Sequence, residues 1–124
     1  MKKIIIDGVE YSLTPIEKKT EPIIAPIIIK QHLKFEVYPE DLGEFTWEDA
    51  KEACAKLGDG WRLPTREGLH LIWLNKDHSF AAAYYWSSSE YSSNNAWFQY
   101  FFTGSQYFDA KFTTYYVRAV RALI

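Results

Sequence analysis

Three consecutive serines followed by a glutamate, Ser87–Glu90, are the residues of the chain that come nearest to a nucleophile site. A serine nucleophile commonly stands on a Gly-x-Ser-x-Gly elbow and needs a base within hydrogen-bond reach. The elbow is missing here, and no histidine is near in the sequence. We therefore expect these serines to bond to backbone groups of a strand or loop. We predict no catalytic residue and no enzyme activity.

A second chemical possibility is a metal site on a predicted helix. Glu67 and His70 are one helical turn apart and could supply half of such a site, with His78 as a third ligand. Pairs of this kind are mostly helix-surface residues, so we predict no metal and no cofactor. Cys54 is the single cysteine, which excludes an intrachain disulfide and metal sites built on several thiolates. Its position on the apolar face of a helix predicts a buried thiol.

Aromatic residues are concentrated in the C-terminal third of the chain. Fourteen of the twenty-two lie between Tyr84 and Tyr116, a stretch without Leu, Ile or Val. A stretch of Tyr, Phe, Ser, Thr and Gly without branched aliphatic residues is poor core material but is typical of antibody binding loops. Neighbouring pairs such as Phe101-Phe102 and Tyr107-Phe108 cannot face one side of a strand together. The sequence therefore predicts an exposed aromatic surface, which usually marks a binding site.

Length and composition bound the class of protein. A chain of 124 residues suits one domain, and 48% hydrophobic with 24% charged residues is ordinary for a soluble globular protein. A net charge of −2 gives no electrostatic reason to expect nucleic acid or an anionic membrane as partner. The apolar run Ile4–Ile6 is too short for a signal peptide, and no stretch approaches a membrane span. We predict a soluble protein. The sequence does not define its localisation or oligomeric state, and it is compatible with display on a virion or cell within a larger assembly.

The elements that position these residues follow from local patterns. Asp7-Gly8 between two β-prone runs predicts a hairpin, and three prolines between residues 13 and 30 favour an extended connector. We divide the chain into this N-terminal segment, residues 1–33, and a main domain, residues 34–124, whose region from about 84 onward would be variable.

The main domain should begin with a strand, continue with two helices and end in a sheet. Thr46 and Thr65 are predicted to be helix N-caps, and Gly58 should end the first helix. The strand predictions are Leu33–Tyr38, Tyr84–Ser89, Ala96–Phe102, Phe108–Thr113 and Tyr115–Leu123. This is an α+β arrangement, with two helices packed on a loop-rich antiparallel sheet.

Five sequence blocks, in this order and spacing, resemble bacterial and phage C-type-lectin-like domains, including formylglycine-generating-enzyme-like and Fibrobacter-paralogous-type proteins. The blocks are Thr46–Ala50, Leu57–Thr65, Tyr85–Glu90, Asn94–Trp97 and Tyr116–Arg121. The resemblance runs from about residue 34 to the C-terminus and implies a C-type-lectin-like fold.

Within that group, the C-terminal third looks most like the variable proteins of diversity-generating retroelements, found in gut bacteria and their phages. Such elements copy a template into the end of a gene with errors at adenines. The resemblance implies a fixed frame, formed by Trp86–Glu90, Asn94–Trp97, Gln99, Gln106, Lys111 and Tyr116–Arg121. The implied variable, ligand-binding positions are Phe98, Tyr100, Phe101, Phe102, Thr103, Ser105, Tyr107, Phe108, Asp109, Ala110, Phe112, Thr113, Thr114 and Tyr115. Each of these residue types can be reached from an AAC codon by changes at its adenines.

The preferred interpretation is a module that binds a protein or cell-surface ligand, and we expect most variable positions to be partly exposed and grouped on one face. A non-variable lectin-like domain that binds glycan or cell-wall material stays open, although the Glu-Pro-Asn type of sugar motif is absent and calcium would have only Glu90 and Asn94-Asn95 as candidate ligands. An enzyme of the formylglycine-generating type would need a pair of C-terminal cysteines that this chain lacks. Arg118 and Arg121 are expected to pair with carboxylates such as Glu90 and to fix the sheet.

Overall fold

The computed structural model describes the backbone of residues 3–6, 9–12, 27–30 and 34–123, and the side chains of residues 34–123. Within these ranges the chain forms two helices and short strands. They are β1 (Lys3–Ile6), β2 (Val9–Ser12), β3 (Ile27–Lys30), β4 (Lys34–Val37), β5 (Gly43–Phe45), α1 (Trp47–Ala55), α2 (Arg66–Asn75), β6 (Tyr84–Glu90), β7 (Asn95–Tyr100), β8 (Gln106–Ala110), β9 (Tyr115–Val117) and β10 (Val120–Ala122).

The strands of the main domain form two sheets. A five-stranded sheet has the order β5-β9-β6-β7-β8, in which β6 and β9 are parallel and the other pairs antiparallel. A three-stranded antiparallel sheet has the order β10-β4-β3. The predicted α+β class is confirmed, and one parallel pair makes the larger sheet mixed rather than purely antiparallel.

The N-terminal segment contributes two separate features. β1 and β2 pair in antiparallel register from Lys3↔Ser12 to Ile6↔Val9, which confirms the predicted hairpin strands. The Asp7-Gly8 turn and the three prolines of the predicted connector lie outside the described residues. β3 pairs with β4, so the smaller sheet includes a strand from before residue 34.

Both helices begin at the threonines that the sequence indicates. The Thr46 hydroxyl accepts from the backbone N–H of Asp49 at 3.4 Å, and the Thr65 hydroxyl accepts from that of Gly68 at 3.0 Å. Each bond satisfies one of the N–H groups that a helix leaves unpaired in its first turn. Gly58, with φ +73°, follows the end of α1 in the left-handed conformation that glycine adopts without strain.

The two helices cover opposite faces of the larger sheet. Leu69 and Ile72 of α2 belong to one core cluster with Tyr85, whereas Ala50 and Cys54 of α1 belong to a second cluster with Trp86. Tyr85 and Trp86 are consecutive in β6, so their side chains point to opposite sides of the sheet. A sheet packed on both faces leaves its exposed surface at its edge strands, β5 and β8, and at its ends.

The last predicted strand, Tyr115–Leu123, is wrong as one continuous strand. β9 pairs with β5 and β6, whereas β10 belongs to the smaller sheet and pairs with β4. The break falls at Arg118, whose buried guanidinium binds Asp41 at 2.7 Å and the carbonyl of Ser79 at 2.9 Å. The chain leaves the larger sheet just before this residue and enters the smaller sheet at Val120.

Two other strand predictions shift at their ends. β7 stops at Tyr100 rather than at Phe102 because a tight turn follows, in which the Gly104 N–H donates to the Tyr100 carbonyl at 2.7 Å. β8 covers Gln106–Ala110 rather than Phe108–Thr113. The short strand β5 was not predicted.

Candidate ligand-binding surface

A continuous series of aromatic rings leads from the core of the sheet to its surface. Tyr115 contacts the buried ring of Trp86 and the ring of Phe98, each with centroids 4.8 Å apart. Tyr84 packs on Phe98 at 5.1 Å and on Tyr100 at 4.6 Å. The inner rings are buried and support the outer rings, which are partly or largely exposed.

We call the exposed part of this series the aromatic face. It consists of Tyr84, Tyr100, Phe102 and Tyr115, together with Tyr107, which shares their side of the sheet. Strand register explains the grouping: Tyr84 is opposite Tyr100 on neighbouring strands, and Tyr107 is opposite Phe98. Cross-strand partners point to the same side of a sheet. Phe102, in the turn after β7, is within 6.0 Å of the Tyr100 ring and extends the face outward.

Tyr115 is held on this face by a hydrogen bond to a carboxylate. Its hydroxyl donates to a carboxylate oxygen of Asp109 at 2.5 Å, and its ring lies across β6 and β7 to reach that residue on β8. Asp109 is opposite Ala96, which has a small side chain, in the register of β7 and β8. Partial burial and the neighbouring carboxylate both disfavour a charged phenolate, so they raise the pKa of Tyr115 above its ordinary value.

The turn between β7 and β8, which carries Phe102, is fixed from the side of α2. The indole N–H of Trp73 donates to the carbonyl of Phe101 at 3.0 Å. Gly104 has φ +86°, and a Cβ at this position would lie 2.7 Å from the Trp73 ring. Only glycine fits both the backbone conformation and the space, so this turn has one position that cannot vary.

Glutamine side chains hold β7 and β8 to α2 and to the turn. The amide nitrogen of Gln106 donates to the side-chain oxygen of Gln99 at 2.9 Å and to the carbonyl of Arg66 at 2.7 Å. The amide nitrogen of Gln99 donates to the carbonyl of Gly104 at 3.1 Å. These contacts give Gln99 and Gln106 a structural role, which is compatible with the constant positions that the resemblance implied.

Tryptophans complete the frame. The buried Trp86 donates its indole N–H to the carbonyl of Phe45 at 2.9 Å. Trp97 is half-buried, and the guanidinium of Arg66 lies 3.5 Å above its ring. The structural role predicted for both tryptophans is confirmed.

A second group of rings lies on the opposite side of β7 and β8. Phe108 is opposite Trp97 in the register and contacts its ring edge-on at 5.4 Å. The Tyr91 ring stacks on Phe108 with centroids 3.7 Å apart. Consecutive residues Tyr107 and Phe108 therefore face opposite sides, so the variable positions do not all share one face. The strand's period of two makes this split unavoidable.

Two of the named positions are buried, whereas most are at least partly exposed, as expected. Phe98 is 9% exposed because the rings of Tyr84 and Tyr115 cover it. Phe101 is 2% exposed and packs against Tyr85, with ring centroids 4.5 Å apart, on the α2 side of the sheet. Both are core residues, and neither can contact a ligand in this conformation.

The remaining named positions are accessible. Phe102, Tyr107 and Phe112 are 69%, 65% and 83% exposed. The others are exposed or half-buried: Tyr100, Thr103, Ser105, Phe108, Asp109, Ala110, Thr113, Thr114 and Tyr115. Tyr84 and Tyr91 are also exposed and were missed. Alternation along β6 places Tyr84 on the side of the buried Trp86, so it gave no signal for the exposure of Tyr84.

The turn between β8 and β9, which carries Phe112, is fixed at Lys111. Its ammonium bonds to Glu90 at 2.6 Å and to the carbonyl of Ser93 at 2.9 Å. The backbone N–H of Trp47 donates to the Lys111 carbonyl at 3.0 Å. Lys111 therefore has a structural role, and its ammonium lowers the pKa of the Glu90 carboxyl.

Glu90 is consequently not the partner of the two C-terminal arginines. Arg118 pairs with Asp41, and Arg121 pairs with Glu36 on the neighbouring strand β4. The carboxylate pairing itself was predicted correctly, but the example given for it was wrong. Glu90 is at the far end of β6 from Arg118 and already binds Lys111.

The residues considered for chemistry have structural contacts. Ser87 donates to the carbonyl of Trp97 at 2.7 Å, and the Ser89 hydroxyl accepts from the N–H of Arg66 at 3.0 Å, as predicted for serines bonded to backbone. His70 stacks against Trp73 at 5.7 Å. Among the described residues, no group of three or more His, Cys, Asp or Glu side chains could hold a metal ion. Burial raises the pKa of the Cys54 thiol to about 12.

A mixed sheet between two capped helices, with long loops tied down by buried side chains, defines a C-type-lectin-like α+β domain. The chain belongs to the Lcl C-terminal domain family, whose match spans residues 22–121 and so includes β3. No curated protein matches it. Within the part of the chain that the structure describes, no helix is long and apolar enough to cross a membrane.

Proposed function

We propose that this domain binds a protein or cell-surface ligand, without chemistry or cofactor, through the aromatic face and the two turns beside it. The observation that carries this proposal is the exposure of large rings at Phe102, Tyr107 and Phe112. A monomeric domain seldom exposes such rings together unless the surface binds something. Tyrosine and phenylalanine offer large contact areas and lose little conformational freedom on binding.

We further propose that these positions are diversified by a retroelement, while the frame is constant. The proposal draws support from the way the accessible positions alternate with fixed ones. In the sequence, the accessible Tyr100 and Phe102 flank the buried Phe101. The accessible Thr103 and Ser105 likewise flank Gly104. Such a surface can change its side chains without changing the backbone that carries them.

The ligand-binding positions of the proposal leave out the two buried phenylalanines. They are Tyr100, Phe102, Thr103, Ser105, Tyr107, Phe108, Asp109, Ala110, Phe112, Thr113, Thr114 and Tyr115. If Phe98 and Phe101 also lie at template adenines, selection should keep large apolar residues there, since their rings fill the core.

Sequencing the gene, its sibling copies and the flanking DNA tests diversification. We expect a neighbouring reverse transcriptase gene and a non-coding near-copy of the 3′ end that differs mainly at adenines. Sibling copies should differ at the accessible positions and agree at Trp86, Gln99 and Gly104. Differences spread evenly over frame and surface would contradict diversification, and calcium-dependent retention on a sugar column would favour a glycan-binding domain instead.

A further inference from the structure

An open groove of about 400 Å³ lies where β6 begins and β7 ends, beside the aromatic face. Its lining includes four tyrosines, one threonine, two alanines and one acidic residue. The residues that carry the argument are Tyr84, Tyr100, Tyr115 and Glu44. The volume is at the lower end of the range for small-ligand sites, which suits one inserted side chain better than a broad contact.

The rings of the groove present faces in different directions. Tyr84 meets Tyr100 at 75° with centroids 4.6 Å apart, and meets Tyr115 at 89° and 5.2 Å. In such edge-to-face packing, part of the ring faces stays open to the groove. The face of an aromatic ring carries the negative part of its quadrupole, and it therefore attracts cations.

The charged groups at the groove have one sign. Glu44 is exposed on the edge strand β5 and has no ion-pair partner among the described residues. The lining contains no lysine, arginine or histidine. Asp109 adds a second carboxylate on the aromatic face, bonded to the Tyr115 hydroxyl.

Hydrogen-bond acceptors are also available. Within the described residues, the hydroxyls of Tyr84 and Tyr100 form no hydrogen bond with protein groups. A phenolic oxygen can accept from an N–H donor as well as donate. A primary ammonium or a guanidinium in the groove would meet ring faces and hydroxyl oxygens, and Glu44 is among the residues that line the same groove.

We propose that this groove binds a basic side chain, lysine or arginine, of a protein ligand. The apolar stem of that side chain lies against the tyrosine rings and the alanines, and its charged end pairs with Glu44. This inference rests on the proposed function and adds the chemistry of one anchoring contact. It also includes Tyr84 and Glu44, which are outside the variable set.

The test is a titration of ¹⁵N-labelled protein at low salt, followed by backbone amide shifts in NMR spectra. The probes are the N-acetyl amides of lysine, arginine and norleucine, together with choline. We expect saturable shifts at Tyr84, Tyr100 and residues 114–116 with the lysine and arginine amides, in the millimolar range. The norleucine amide, which has a similar stem without charge, should bind roughly tenfold more weakly.

Two variants separate charge at the groove from charge in general. Glu44→Gln should weaken lysine amide binding up to about fivefold, the factor that corresponds to an exposed ion pair. Glu67→Gln removes an exposed carboxylate from α2, away from the groove, and should leave binding unchanged. Equal binding by wild type and Glu44→Gln would overturn the proposal.

The probes also distinguish this proposal from the function on which it rests. Norleucine amide binding as tightly as lysine amide would overturn the cationic ligand and leave a ligand-binding groove in place. Choline binding more tightly than either basic amide would overturn the protein side chain in favour of a quaternary ammonium. Absence of shifts with all four probes would overturn the groove as an anchoring site, while ligand binding by Tyr107 and Phe112 would remain to be judged by its own test.

Discussion

The hydroxyl of Tyr115 donates a hydrogen bond to Asp109 at 2.5 Å, from one strand of the larger sheet across two others. Both residues belong to the region proposed to vary, yet their hydrogen bond holds the Tyr115 ring in place on the aromatic face. It ties β9 to the edge strand β8 over the rings of Trp86 and Phe98. The exposed surface and the stability of the sheet are therefore linked at this pair.

Tyr115→Phe removes that hydrogen bond and keeps the ring. We expect the free energy of unfolding to fall by about 1–2 kcal/mol, because the acceptor is a carboxylate and the site is partly buried. Urea denaturation measures the change. The matched control is Tyr107→Phe, which removes a hydroxyl from an exposed ring and should change stability by less than about 0.5 kcal/mol. Equal effects of the two variants would contradict the structural role of Tyr115.

Alkaline pH should destabilise the protein. Burial is the main cause that raises the pKa of Tyr85 and of Tyr115 above their ordinary value of 10.0. The folded state therefore holds these protons more tightly than the unfolded state, so the stabilisation is complete below pH 10 and is lost as the pH rises above it. Urea midpoints measured from pH 8 to 11.5 should decline, and Tyr115→Phe should flatten the decline. A midpoint that rises with pH above 10 would refute the assignment.

Gly104→Ala tests the fixed position in the turn that displays Phe102. The added Cβ would clash with the Trp73 ring and the backbone would be strained, and together we expect a loss of about 2–4 kcal/mol. Gly60→Ala is the control, since Gly60 has a similar φ of +83° with open space around it. That variant should lose only about 1 kcal/mol, the cost of the conformation. Similar losses in both would mean that Trp73 does not restrict the turn.

Cys54 should be unreactive in the native protein. Its side chain is buried in the core beneath α1, and burial raises the pKa of the thiol to about 12, so little thiolate is present at pH 8. Reaction with Ellman's reagent should proceed at the rate of unfolding and become immediate in 6 M guanidinium chloride. Fast stoichiometric reaction of folded protein would show that this core opens readily.

Local features of the fold could be predicted from the sequence, because they depend on neighbouring residues. Thr46 and Thr65 cap their helices as predicted, since a cap needs only a hydroxyl and the next turn of backbone. The hairpin strands around Asp7-Gly8 follow the same logic. The resemblance to lectin-like domains then supplied the fold, which no local pattern contains.

Long-range pairing could not be predicted in the same way. Arg118 and Asp41 are 77 residues apart in the chain, and nothing near Arg118 in the sequence identifies this partner. The burial of Phe98 was missed because alternation assigns residues to two faces without showing which parts of each face are covered. Phe101 lies in a turn, where the alternation of a strand no longer applies.

A library randomised at the accessible positions tests the central claim most directly. Eight positions would vary in a displayed protein, with Tyr115 kept because it packs on the core rings: Tyr100, Phe102, Thr103, Ser105, Tyr107, Phe108, Phe112 and Thr114. A control library would vary Phe98, Phe101, Gln99 and Gly104 of the frame. We predict that most members of the first library resist protease like the parent and that selection on an unrelated protein such as lysozyme yields specific binders, whereas most members of the second are digested. A first library that is mostly digested, or that is folded but yields no binder, would contradict a fixed frame carrying a variable binding surface.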